Sequence, residues 1–108
     1  MSHLDFTSDE DSRLATLFSA YFHQDWMIEG ANARAVLERY IAEAETDDIR
    51  QSQQQAEALL AAGLDERRLA RTVNSMGLYY LPKADGLTYR EWLACVADVL
   101  GSALRARQ

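Results

Sequence analysis

Proline occurs once in this chain, at Pro82, and glycine only five times. A protein of many strands joined by tight turns needs more of both, because they supply the backbone angles that turns demand. The apolar residues recur instead at intervals of three and four, which places one stripe on one side of a helix. The spacing therefore predicts an all-α chain of about five helices, with one ordered loop around Pro82 before the last. The 108 residues have the length of one domain, so residues 1–108 are expected to form a single helical unit. Hydrophobic residues make up 48%, enough for one packed core and too little for two.

The first helix is expected to start at Ser8, with Asp11 three residues on as a weak capping-box partner. Leu14, Leu17, Phe18, Tyr21 and Phe22 then form its buried stripe. Gly30 marks a break, and a second helix runs from Asn32 or Ala33 to Ala44 on an inward face of Val36, Leu37, Tyr40, Ile41 and Ala44. Thr46 is the expected cap of a third helix, with Asp47 and Asp48 in its first turn and Gly63 at its stop. Within it, Ile49, Ala56, Leu59 and Leu60 point inward, and "QSQQQ" reads as a solvated face. Asp65 caps a fourth helix with Leu69, Val73 (or Thr72) and Met76 inside and Gly77 at its end. "LYYLPKADG" is a loop with a short extended piece, since Pro82 disfavours helix at Leu81. Thr88 and Glu91 then form a full capping box for a last helix, whose inner face is Trp92, Leu93, Val96, Leu100 and Leu104.

Charge narrows the function. Residues 1–48 hold eleven acids against three arginines, a net of −8, while residues 49–108 carry a net of +2. An acidic half repels nucleic acid and anionic membrane and steers toward a basic partner, although surface acids also serve plain solubility. "DERRLAR" places Arg67, Arg68 and Arg71 on one short helix, but a chain of pI about 4.8 lacks the basic footprint of a nucleic-acid binder. That cluster is a solvated face or a patch complementary to another protein. The first residues, "MSHLDFTSDEDSR", lack the basic start and apolar run of a signal peptide, and no apolar run is long enough to span a bilayer. A cytoplasmic protein with neither nucleic-acid nor membrane partner is the expectation.

Chemistry is thinly supplied. The one cysteine, Cys95, excludes an internal disulfide and is expected to be an inert buried thiol on the last helix. His23 and Asp25 invite a catalytic or metal-binding reading, but residues two apart on a helix do not face each other. A metal centre needs more ligands than these, and neither a nucleophile elbow nor a phosphate-cradling glycine loop occurs. No metal, cofactor or enzymatic activity is expected.

Two motifs carry a resemblance. "LFSAYFHQDW" near the start and "GLYYLPKADGLTYREWL" near the end resemble the CdiI family, the small helical immunity proteins of bacterial contact-dependent growth inhibition systems. Tyr21, Phe22, His23, Gln24, Asp25 and Trp26 fill the first motif, and Tyr79, Pro82, Gly86, Thr88, Trp92 and Leu93 fit the second. Met27 stands where the resemblance leads one to expect an acid. The resemblance implies a non-enzymatic protein that binds the toxin domain delivered by a neighbouring cell, often a basic nuclease acting on tRNA. The shared motifs would then maintain the fold, with Trp26 mostly buried near Tyr79, Pro82 or Trp92, and His23, Gln24 and Asp25 satisfying backbone groups at a helix end. The acids at the second-to-third helix junction, Glu43, Glu45, Asp47 and Asp48, are the expected toxin contacts; they serve equally well as caps and solubilising charge. A helical adaptor for a basic protein partner is the alternative function.

Overall fold

The computed structural model describes residues 12–28 and 30–107. Five helices follow one another: α1 (Arg13–Tyr21), α2 (Ala33–Glu43), α3 (Thr46–Ala61), α4 (Glu66–Ser75) and α5 (Tyr89–Ala106). Two short 3-10 turns, Trp26–Ile28 and Pro82–Asp85, stand before α2 and α5, and no strand occurs among the described residues. The all-α expectation with an ordered loop before the last helix is met.

α3 and α5 lie antiparallel along their whole length, and an arginine closes each end. At the start of α5, Arg90 donates to the carbonyls of Leu60 and Leu64 at the end of α3, at 3.1 and 2.6 Å. Beyond the end of α5, Arg107 donates to the carbonyls of Ile41 and Ala44 and to the Thr46 hydroxyl. Both arginines thus occupy carbonyls that a helix terminus leaves unpaired. Glu66 on α4 does the reverse, its carboxylate accepting from the N–H groups of Tyr89 and Arg90 at the positive end of α5. The α5 capping box of Thr88 and Glu91 forms as expected.

One cluster of buried apolar residues draws on all five helices and on Leu78 and Tyr80 of the loop. Its large members on α1, α2, α4 and α5 are residues the helical spacing points to. Ala33 and Ala97 join them unforeseen, while Tyr21, Ile41, Ala44, Met76 and Leu104 are only partly buried. α3 departs from expectation. Ser52, inside "QSQQQ", is fully buried, because it sits one turn after Ile49 and one before Ala56 on the same stripe. Its hydroxyl lies 2.8 Å from that of Tyr40, so the buried polar atoms satisfy each other. Gln55 also turns inward, and its side-chain oxygen accepts from the Leu14 N–H and the Ser12 hydroxyl at the start of α1.

Two caps differ from those expected. Ser8 and Asp11 lie outside the described residues; α1 is capped by Ser12, which accepts from the Ala15 N–H. Glu45, not Thr46, holds the cap position of α3 and makes no side-chain cap bond, and the Thr46 hydroxyl instead accepts from Arg107. Cys95 is exposed rather than buried. The inner face of α5 is Trp92, Leu93, Val96, Ala97 and Leu100, and the helical turn carries Cys95 past its edge.

Candidate functional site

The two sequence motifs meet in one place. α1 ends at Tyr21, and fully buried Phe22 turns inward from the exit of the helix. Around its ring stand Trp92 at 5.3 Å, Tyr80 at 5.9 Å, Trp26 at 6.2 Å and Phe18 at 6.5 Å, centroid to centroid. These spacings and their tilted or edge-on geometries are those that aromatic pairs prefer. The Phe22 carbonyl accepts the Tyr79 N–H at 2.8 Å, which ties the loop backbone to the end of α1. Gly77 permits this approach: its φ is +99°, and a Cβ there would lie 2.8 Å from that of Ser19.

His23 is part of the same joint. Its Nδ1 accepts from the Asp25 N–H at 3.1 Å, so the imidazole serves the turn backbone. Gln24 and Asp25 are exposed. Trp26 is half-buried, less than expected, and rests edge-on against Tyr80 rather than Tyr79. The loop explains why. Leu78, Tyr80 and Pro82 are buried while Tyr79 and Leu81 are exposed, the alternation of an extended chain. Tyr79 therefore enters the joint through its backbone, and its side chain points away.

Tyr80 is the polar hinge of this region. Its hydroxyl donates to Asp85 at 2.5 Å. Burial, and then the bond to that carboxylate, push the phenol well above its ordinary value, because both disfavour the phenolate.

The outer side of the joint is apolar. Among the described residues the exposed large hydrophobic side chains are four: Met27 (70% exposed), Ile28 (75%), Tyr79 (59%) and Leu81 (62%). All of them sit on the two segments that Phe22 and Tyr80 hold together. The sequence motifs place Trp26 and Tyr79 in a structural role and point to no exposed apolar role for Met27, Ile28 or Leu81. The available signals were Met27 in place of an acid and the alternation hidden in "LYYLP".

The four acids at the α2–α3 junction fare differently. The structure gathers them at one place and gives three of them partners from the same chain. Glu43 accepts from the Tyr21 hydroxyl and from Arg39, Asp47 from Arg50 and Gln51, and Asp48 from Arg13 at 2.9 Å. The Tyr21 bond, chiefly, holds the Glu43 carboxyl below the usual range. Glu45 is exposed at the α3 cap position. Five of the chain's acids, Asp5, Asp9, Glu10, Asp11 and Glu29, lie outside the described residues, which leaves twelve acids against eleven bases within them.

Two further features complete the surface. Arg67, Arg68 and Arg71 on α4 are exposed and form no ion pair among the described residues. Cys95 lines an open groove of about 340 Å³ between α2, the loop and α5, with Leu37, Tyr80, Leu87, Trp92 and Val99. Among the described residues no group of three His, Cys, Asp or Glu side chains is placed to hold a metal ion. No helix of the described residues is long and apolar enough to cross a membrane.

Among the described residues the exposed large apolar side chains stand on two segments that the Phe22–Tyr79 bond and the Trp26–Tyr80 contact tie together, a make-up that suits binding another protein. The CdiI immunity protein family matches residues 11–100, most of the chain, and the protein belongs to that family. Membership implies neutralisation of a contact-dependent growth inhibition toxin through binding of a cognate toxin protein, a role that is generally not enzymatic. No curated protein and no solved structure matches the chain at a significant level.

Proposed function

We propose that the protein acts in the cytoplasm as a single-domain, stoichiometric inhibitor that binds the delivered toxin domain and blocks its active site or its access to substrate. The family match carries this reading. The toxin domain is a basic nuclease, of the kind that cleaves tRNA. A nuclease needs cationic surface to hold phosphates, and the inhibitor, at a net charge of −6, complements such a surface. Opposite charge over the two molecules speeds encounter and favours this partner over others. The junction carboxylates Glu43, Glu45, Asp47 and Asp48 contribute to that contact, with Glu45 foremost because the other three already accept bonds from their own chain.

The test is reconstitution. The cognate toxin domain is purified and titrated with it, following cleavage of tRNA. Activity should fall linearly to zero at a fixed molar ratio, and the association rate should drop as salt rises. Undiminished cleavage at excess inhibitor would refute the reading, and a toxin domain without nuclease activity would refute its finer part.

A further inference from the structure

The proposed function leaves open where the partner is held. Charge alone does not answer this, because the described residues are nearly neutral and most junction acids are paired internally. The exposed apolar side chains point elsewhere. They stand on two segments 50 residues apart in sequence, and nothing in the core requires Met27, Ile28, Tyr79 or Leu81 to be apolar. Behind them lies a stack of rings, with Tyr80 at 5.0 Å from Trp92 and Trp26 at 5.5 Å from Tyr80. The Tyr79 N–H and the Tyr80 hydroxyl are both engaged, so backbone and ring are fixed before any partner arrives. A surface ordered in advance loses little entropy on binding. Tyrosine, tryptophan and methionine are also the residue types that interface centres favour.

We propose that this face, from Trp26 to Ile28 and from Tyr79 to Leu81, is the anchor on which the toxin domain docks. The inference rests on the neutralisation reading and adds to it the place of contact. Charge selects a basic protein as the occupant. Asp25 precedes Trp26, Met27 and Ile28, and Asp85 is bonded to Tyr80, while Lys83 is the cation of these two segments. An apolar centre flanked by Asp25 and Asp85 suits a basic partner that offers an apolar spot of its own. Tyr21 joins this face to the junction acids: its hydroxyl reaches Glu43, and its neighbour Phe22 receives the Tyr79 N–H.

The experiment compares wild type, Ile28→Asp/Leu81→Asp and Tyr79→Ser against the cognate toxin domain by kinetic binding and inhibition titration. Circular dichroism and the melting temperature should match wild type, since the replaced side chains are more than half exposed. The double variant should bind about 100-fold more weakly and Tyr79→Ser about tenfold, chiefly through faster dissociation. Folded variants that bind within about threefold of wild type would overturn the anchor while leaving the proposed function intact. A wild-type protein that fails to bind the toxin domain would overturn both. Sedimentation supplies a further check: a wild-type dimer that the double variant abolishes would assign the face to a second copy and overturn the toxin as its occupant.

Discussion

The α2–α3 junction and the face built from residues 26–28 and 79–81 both carry exposed side chains. At the junction three of the four acids are given a partner from their own chain: Glu43 with Arg39, Asp47 with Arg50, Asp48 with Arg13. Such half-exposed pairs contribute about 0–1 kcal/mol each. They leave little net charge for an outside molecule to meet. At the other face the Tyr79 N–H and the Tyr80 hydroxyl are used by the fold, and the side chains of Met27, Ile28, Tyr79 and Leu81 stay exposed. An apolar side chain left in water keeps its full hydrophobic gain for whatever covers it, at about 25 cal/mol per Å². A density of acidic letters in a sequence is therefore a poor guide to the charge a surface presents.

Four changes test this contrast, beginning with the largest effect. Phe22→Ala removes the centre of the ring stack and should cost about 3–5 kcal/mol in chemical denaturation, since the site is fully buried. The part that stays folded should bind the toxin less well, because the apolar face loses its support. A loss of stability with affinity unchanged would separate the joint from the face. Gly77→Ala forces a side chain onto a positive φ and against Ser19, and should cost about 1–3 kcal/mol. A tolerated alanine would mean that the loop is not pinned to α1.

Tyr80 gives a pH-dependent test. Its phenol titrates higher when folded than when unfolded, because burial and then Asp85 hold the proton. The associated stability is fully present below the unfolded value of about 10 and is lost as pH rises above it. Tyr40 is raised in the same direction, mainly by burial. Tyr80→Phe should therefore flatten the fall of unfolding free energy with pH above about 10, and an unchanged slope would leave Tyr40 as its main source. The smallest effect belongs to the junction. Glu45→Lys should slow association a fewfold and weaken its salt dependence while leaving dissociation unchanged, as charges at an interface rim do. A larger effect than that of the apolar variants would invert the comparison and make the junction the main contact.

Much of the fold was legible in the residue order. The stripes of α1, α2, α4 and α5, the Asp65 cap and the Thr88–Glu91 box are local features, decided by neighbours three or four residues away. The same holds for the alternation in "LYYLP", which carries Tyr79 and Leu81 outward once the chain is extended. The family motifs were legible too, and the match over residues 11–100 agrees with them.

Only the tertiary structure decided which polar residues were claimed by distant partners. Gln55 caps a helix 41 residues away, Ser52 completes a buried pair with Tyr40, and Arg107 holds carbonyls as far as 66 residues back. Asp48 meets Arg13 across 35 residues, which turns an expected contact acid into half of an internal pair. Periodicity records which side of a helix faces inward, because helical geometry repeats every few residues whatever the rest of the chain does. It records nothing about which atom waits on the neighbouring helix, and that set the exposed character of the junction and of the apolar face.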